Sequence, residues 1–153
     1  MTRIGVISDT HGLLRDEAVD RLRTSALIIH AGDIGSQAVV SQLEQISPVR
    51  AIRGNVDRGA WAQVFPEKQI IEVEGQRIYL IHNLRELDLD PVASGIRVVV
   101  SGHSHMPNRE KVNGVLYLNP GSAGPRRFRL PVAVATLYIA RSGVSAEIHE
   151  LPI

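Results

Sequence analysis

Hydrophobic and polar residues alternate in two patterns along the first third of the chain. Short apolar runs at Arg3–Ile7, Ala26–His30 and Val49–Arg53 predict buried strands, because each is rich in Ile, Val or Ala and is bounded by polar residues or glycine. Between them, Leu14–Leu22 and Gln37–Ile46 carry apolar residues at helical spacing. This β-α-β-α-β order predicts a parallel sheet covered by helices.

The rest of the chain is rich in short strands separated by turn signals. The predicted strands are Gln69–Val73, Arg77–Ile81, Arg97–Ser101, Glu110–Val112, Val115–Leu118, Val132–Ile139 and Val144–Leu151. Asn113-Gly114 between two of them is the strongest short hairpin signal. We therefore predict an α/β fold, a two-sheet β sandwich flanked by helices. With 153 residues, we expect one domain over residues 1–153.

Polar residues that interrupt the pattern follow five of the predicted strands. The segments are Ser8-Asp9-Thr10-His11-Gly12, Gly32-Asp33-Ile34-Gly35, Gly54-Asn55-Val56-Asp57, His82-Asn83 and Gly102-His103-Ser104-His105. The carboxyl ends of parallel strands face one crevice, where ligands bind. We therefore expect these side chains to meet in one place.

The residue types at these strand ends indicate metal binding. Carboxylate oxygen, imidazole nitrogen and amide oxygen together suit divalent ions such as Mn²⁺, Zn²⁺, Fe²⁺ or Ni²⁺. The seven predicted ligands are Asp9, His11, Asp33, Asn55, His82, His103 and His105. Seven are too many for one ion, whereas two ions that share a bridging aspartate would use them all.

Composition and charge reduce the number of possible function classes. The chain has no cysteine, which excludes disulfides and thiolate metal sites and fits a cytoplasmic protein. A net charge of +1 gives no strong nucleic-acid signal, and no apolar run predicts a membrane segment. A dinucleotide-binding regulator would need a glycine-rich fingerprint after the first strand, and Ser8-Asp9-Thr10-His11-Gly12 has one glycine.

Taken in order, the motifs resemble those of a known family. Asp9-x-His11, Gly32-Asp33, Gly54-Asn55, His82 and Gly102-His103-x-His105 are similar to the motif set of the calcineurin-like metallophosphoesterases. The short length resembles that family's small bacterial and archaeal phosphodiesterase branch. The resemblance implies that Asp9, His11, Asp33 and His105 hold one ion. It implies that Asp33, Asn55, His82 and His103 hold the other, with Asp33 bridging.

The resemblance also implies a function. We expect a metal-dependent phosphoesterase, and more narrowly a phosphodiesterase, in which a metal-bound hydroxide attacks phosphorus and Asp33, Asn55 and His103 take part in catalysis. Mn²⁺ is the expected metal, with Ni²⁺, Zn²⁺, Fe²⁺ and Mg²⁺ as alternatives. The expected partner is a small phosphate ester, and the sequence is also compatible with a homo-oligomer. The alternative is a non-catalytic metal-binding scaffold for protein–protein interaction, similar to the retromer subunit of this fold. The complete set of ligands favours the enzyme.

Two positions differ from the family pattern. Val56 stands where many members have a histidine that assists the leaving group, so we expect good leaving groups to react best. Asn83 and Leu84 follow His82 where glycine and often histidine are usual, which makes His82 the least secure ligand.

Several other residues keep two interpretations. Asp57 either orients a ligand or serves in a turn or a salt bridge, and His30 is predicted to lie in the core or behind a ligand. Asn119-Pro120-Gly121-Ser122 resembles a motif that this family has near its site, but it is predicted to be a structural turn. Trp61 and Phe65 either cap the mouth of the site or pack. Residues that either meet a phosphate or lie in a solvated loop are Arg126, Arg127 and Arg129.

Overall fold

The alternation of strands and helices predicted for the first third is present in the computed structural model, which describes residues 1–153. The elements are β1 (Thr2–Ile7), α1 (Asp16–Leu22), β2 (Leu27–His30), α2 (Gln37–Glu44), β3 (Val49–Ala51), β4 (Lys68–Val73), β5 (Gln76–Ile81), β6 (Ile96–Val100), β7 (Asn108–Val112), β8 (Val115–Asn119), β9 (Ala133–Ala140) and β10 (Gly143–Glu150). Two 3₁₀ segments occur at Ala60–Val64 and Leu84–Glu86. Neither helix has the length and apolar composition needed to cross a membrane.

The strands form two five-stranded mixed sheets. The first has the order β10-β9-β1-β2-β3, in which β1, β2 and β3 are parallel and β9 pairs antiparallel with β1. The second has the order β4-β5-β6-β8-β7, in which β5, β6 and β8 are parallel. The predicted two-sheet sandwich flanked by helices is confirmed. The C-terminal hairpin β9–β10 joins the N-terminal parallel strands, so the two sheets do not correspond to the two halves of the sequence.

The largest apolar cluster lies between the two sheets. It combines residues of the first sheet, such as Ile4 and Ile29, with residues of the second, such as Leu80 and Val98. Successive side chains of a strand point to opposite faces, so Ile7 instead packs in a second cluster against α1 and α2. Each fully buried aliphatic side chain stabilises the fold by about 1.5–3 kcal/mol. Burial on both sides therefore fixes the register of β1, and with it the direction of the loop that follows.

Candidate metal centre

The loops that follow the parallel strands meet at one edge of the sandwich. The amide of Asp9 donates to the carbonyl of Gly32 at 3.0 Å, and the amide of His11 donates to the carbonyl of Asp33 at 3.0 Å. These two bonds extend the pairing of β1 and β2 into their loops. The amide of His103, in the second sheet's loop, donates to Oδ2 of Asp9 at 3.1 Å. The two sheets are thus tied together at this edge.

The backbone at this edge is strained. Five of the seven predicted ligands have positive φ angles, namely Asp9 (55°), His11 (47°), Asp33 (54°), His103 (69°) and His105 (62°). For residues other than glycine, this conformation costs about 1–3 kcal/mol each and persists only where the surroundings enforce it. Such concentrated strain is typical of a functional site.

Six of the seven predicted ligands form two groups of three. The first group is Asp9, His11 and His105, and the second is Asp33, His82 and His103. Within each group, the ligand atoms lie within 4.8 Å of one another. This is the same division between two ions that the family resemblance implies.

The two groups are adjacent. Nε2 of His82 lies 3.2 Å from Oδ2 of Asp33 and 3.9 Å from Oδ1 of Asp9. Nε2 of His11 lies 3.9 Å from the same two carboxylate oxygens. The second oxygen of Asp33, Oδ1, accepts from the amide of Val56 at 3.1 Å. The carboxylate of Asp33 therefore lies between the groups, where the resemblance places a bridging ligand.

Four buried polar atoms of this cluster lack a hydrogen-bond partner within the protein. Buried side-chain atoms without a hydrogen bond include Oδ1 of Asp9, Nε2 of His11, Nε2 of His82 and Nδ1 of His105. The only cationic groups within 4 Å of the carboxylates of Asp9 and Asp33 are histidines. Buried carboxylates require compensating charge. The donor set therefore fits divalent cations.

The pKa values indicate that both aspartates are anionic at neutral pH. Burial raises the pKa of Asp33, but the interaction with His82 and the hydrogen bond from Val56 outweigh it and lower the pKa to about 2. Burial likewise opposes the effects of His105 and Ser8 on Asp9, whose pKa is lowered. Two negative charges thus persist at the centre over the whole neutral range.

His82 was the least secure sequence assignment, and the structure places it at the centre. Its Nδ1 donates to the carbonyl of Ala31 at 2.7 Å, which directs Nε2 toward Asp33. Burial lowers the pKa of His82, but Asp33 and Asp9 outweigh it and raise the pKa. A backbone carbonyl that fixes the tautomer and ring orientation is the usual support of a ligating histidine.

Asn55 lies at the rim, exposed to solvent. The preceding residue must be glycine, because a Cβ on Gly54 would lie 2.3 Å from Oδ1 of Asp33. This close approach brings the loop after β3 against the carboxylate of Asp33. The side-chain amide of Asn55 makes no hydrogen bond within the chain and remains available to a ligand.

Asp57 lies behind the centre, where its own amide donates to the carbonyl of Gly54 in a turn and its carboxylate forms no salt bridge. Its buried carboxylate accepts from the amides of Ile34 and Gly35, both at 3.0 Å, and of Gly54 at 2.9 Å. It thereby joins the loop that carries Asp33 to the loop that carries Asn55.

His30 is fully buried, as predicted, and takes part in the same framework. Its Nδ1 accepts from the amide of Gly32, so its Nε2–H faces the hydroxyl of Thr10 at 3.0 Å. That hydroxyl donates to the carbonyl of Ile34. Burial lowers the pKa of His30 to about 4, and the imidazole is therefore neutral at pH 7.

The segment from Asn119 to Ser122 runs from the last residue of β8 to an isolated bridge between Ser122 and Val132, and it contacts the site. Nδ2 of Asn119 donates to the carbonyl of Gly102 at 3.0 Å, and the hydroxyl of Ser122 donates to the carbonyl of Asp9 at 3.0 Å. Ser8, which the sequence did not single out, donates to Oδ2 of Asp9 at 2.7 Å. Its position beside Asp9 was the only signal in the sequence.

The other residues for which the sequence left two interpretations are not part of the centre. Trp61 and Phe65 pack edge to face at 6.5 Å, partly buried against the helix-side cluster, so packing is their role. The arginines of the loop before β9 are exposed and form no ion pair; they are Arg126, Arg127 and Arg129.

Two clefts open beside the centre and share Asn83. The apolar cleft has a volume of about 580 Å³, and its lining includes Leu84, Arg85, His103, Met106 and Tyr117. The polar cleft has a volume of about 440 Å³, and its lining includes Arg53, Asn55, Arg58, Gln63, Lys68 and His82. Each cleft therefore reaches a predicted ligand of the second ion.

The chain is similar in sequence to several known proteins. A probable metallophosphoesterase from Methanothermobacter thermautotrophicus is 35% identical, over 95% of this chain and 90% of that protein. A phosphodiesterase from Methanocaldococcus jannaschii is 29% identical, over 78% of this chain and 82% of that protein.

The fold is also found in Vacuolar Protein Sorting 29 from Cryptosporidium parvum. That structure is 22% identical, has a TM-score of 0.80 and covers 98% of this chain and 91% of its own. Residues 2–142 match the calcineurin-like phosphoesterase superfamily domain. The protein therefore belongs to the calcineurin-like phosphoesterase superfamily.

Proposed function

We propose that this protein is a phosphodiesterase that requires two divalent metal ions and hydrolyses small phosphate esters. One observation carries the proposal, namely the two adjacent groups of three metal-competent side chains built around two buried carboxylates. No lysine or arginine neutralises Asp9 or Asp33. Two cations would supply the missing positive charge.

The proposed ligands are those of the two groups, with Asn55 added to the second and Asp33 shared. Two ions held there would stabilise negative charge on the phosphoryl oxygens and lower the pKa of bound water. Asp33 lies between the groups and would keep them at a fixed separation. His103 and Asn55 are exposed at the mouth, where they would contact the phosphate, and the amide of Asn55 would donate to a nonbridging oxygen.

Several features favour a diester over a monoester. A diester carries two organic groups, and two clefts of different character adjoin the centre. A relative is itself named a phosphodiesterase. We propose Mn²⁺ as the metal, because the mixture of carboxylate, imidazole and amide suits it. We also propose that the protein acts in the cytoplasm, where proteins rarely carry disulfides, because this chain has no cysteine to form one.

The test is a metal titration followed by a hydrolysis assay. Protein freed of metal is reconstituted with Mn²⁺, Ni²⁺, Zn²⁺ or Mg²⁺, its metal content is measured, and a panel of phosphomonoesters and phosphodiesters is offered. We expect two ions per chain and faster turnover of aryl diesters than of monoesters.

Two variants distinguish an effect at the metal centre from a general effect of removing a negative charge. Asp33→Asn removes the shared carboxylate, and Glu44→Gln is a matched control because Glu44 is exposed at the end of α2, away from the centre. Asp33→Asn should lose turnover while Glu44→Gln keeps it. Two bound ions with no hydrolysis of any ester would favour the scaffold function, and saturation at zero or one ion would refute the dinuclear centre.

A further inference from the structure

The apolar cleft combines hydrophobic surface with a polar centre. Leu84 is 38% exposed and Met106 is 57% exposed, and both line the cleft together with His103 of the second group. Large apolar side chains exposed next to a charged site do not stabilise the folded chain. Exposed apolar surface in a cleft is typical of a ligand-binding site.

The remaining side chains of the apolar cleft suit a flat ring. Tyr117 is half-buried in its wall, and Arg85 is exposed without an ion-pair partner. An aromatic ring packs favourably against another ring, against a methionine thioether and against a guanidinium plane. Asn83, at the boundary of the two clefts, accepts from the amide of Arg85 through Oδ1 at 3.1 Å and offers its NH₂ group to acceptor atoms on the edge of such a ring.

The two clefts differ in a way that distinguishes the two halves of a diester. Arg53, Arg58 and Lys68 line the polar cleft with further polar residues, whereas Leu84, Met106 and Tyr117 line the apolar cleft. Moving a flat apolar group from water into the apolar cleft costs less desolvation free energy than moving a sugar or an alcohol there.

The wall of the apolar cleft is fixed before any ligand binds. Nδ2 of Asn119 donates to Oγ of Ser104 at 3.1 Å, and the amide of Met106 donates to the same oxygen at 3.2 Å. Nδ2 of Asn119 also donates to the carbonyl of Gly102. The loop between β6 and β7 therefore presents Met106 in a defined position, which reduces the entropic cost of binding.

We propose that the apolar cleft is a specificity subsite for a flat aromatic or heteroaromatic group of the phosphodiester substrate, which packs against Leu84, Met106 and Tyr117. The inference rests on the proposed function, because it requires the phosphorus to lie at the metal centre. The substrate class is then an unsymmetrical diester, with one ring-bearing side in the apolar cleft and one hydrophilic side in the polar cleft.

The test compares two probes that differ only in their organic group. Phenylphosphonate and methylphosphonate are titrated into the Mn²⁺-loaded protein by calorimetry, so that binding is measured without turnover. We expect phenylphosphonate to bind about tenfold more tightly, because its ring buries apolar surface that a methyl group lacks. Met106→Ala and Leu84→Ala should each lower this preference by about threefold, the size of one lost side-chain contact.

The control is Val92→Ala. Val92 is 56% exposed, similar to Met106, and lies outside both clefts, so this variant should keep the wild-type preference. Equal affinity for the two probes, or a preference unchanged in Met106→Ala and Leu84→Ala, would overturn the subsite. Hydrolysis of diesters without ring preference would refute the subsite alone, whereas ring-selective binding without hydrolysis of any diester would refute the proposed function alone.

Discussion

Replacement of Asp57 tests how the metal centre is supported from behind. Its carboxylate is buried and accepts three backbone amides, of Ile34 and Gly54 at Oδ2 and of Gly35 at Oδ1. Asp57→Asn has the same shape but offers one oxygen and one NH₂ group. Whichever way the amide turns, at least one backbone N–H faces another donor.

The number of broken hydrogen bonds sets the expected magnitude. The better orientation of Asn keeps the two bonds at the Oδ2 position and loses the bond to Gly35, together with the negative charge. One buried donor without a partner costs about 1–3 kcal/mol, so Asp57→Asn should lower the free energy of unfolding by about 2 kcal/mol. Asp57→Ala loses all three bonds and should cost about 4 kcal/mol, since water entering the space offsets part of the sum.

The assay is equilibrium urea unfolding of the metal-free protein, so that bound metal does not mask the difference. Glu44→Gln should unfold like the wild type. Because Asp57 joins the loops of Asp33 and Asn55, metal affinity should also fall by about 10–100-fold in Asp57→Asn. A loss of less than about 0.5 kcal/mol in Asp57→Ala would refute the reasoning, since it would mean that these amides do not depend on the carboxylate.

Four further outcomes are expected. Asp33→Asn should reduce turnover of an aryl diester at least about 100-fold, while the circular dichroism spectrum of the metal-free protein stays that of the wild type; its unfolding midpoint should fall, because the folded state lowers the pKa of Asp33 and so favours the anion that the amide replaces; retained turnover would exclude a bridging role. His82→Ala should weaken the second metal site more than the first in a calorimetric titration, and unchanged stoichiometry and affinity would show that His82 is not a ligand. Because the pKa of His30 is lowered from 6.5 to about 4, the unfolded chain takes up a proton first as the pH falls, and the free energy of unfolding of the metal-free protein should fall by about 3 kcal/mol between pH 6.5 and pH 4. The difference in unfolding free energy between wild type and His30→Gln should change over this pH range, and a difference independent of pH would contradict the assignment. Val56 is exposed and its amide is held by Asp33, so Val56→His should accelerate hydrolysis of esters with poor leaving groups more than of esters with good ones. The measurement is the slope of log rate against leaving-group pKa for both proteins, and equal slopes would show that the imidazole does not reach the leaving oxygen.

The sequence determined the local elements because their signals are local. Alternation and helical spacing located every strand and both helices to within a few residues. The Asn113-Gly114 turn has φ angles of 51° and 80°, as its residue types require. The order of the ligand motifs was equally legible, since each follows a strand whose end is set by its own apolar run.

The tertiary structure decided which strands became neighbours. No local sequence pattern predicts that β9 pairs with β1, or that β8 lies between β6 and β7. These pairings follow from burial of both faces of each sheet, which is a property of the packed chain. The meeting of the loop after β6 with the loop after β1 depends on them.

The supports of the site were decided in the same way. Asp57 bonds to amides more than twenty residues away, and Ser122 bonds to Asp9 across 113 residues. A hydrogen bond of this kind leaves no periodicity in the sequence, because its partners share no local structure. The sequence therefore determined which residues gather at the centre, and only the packing of the two sheets decided which residues position them.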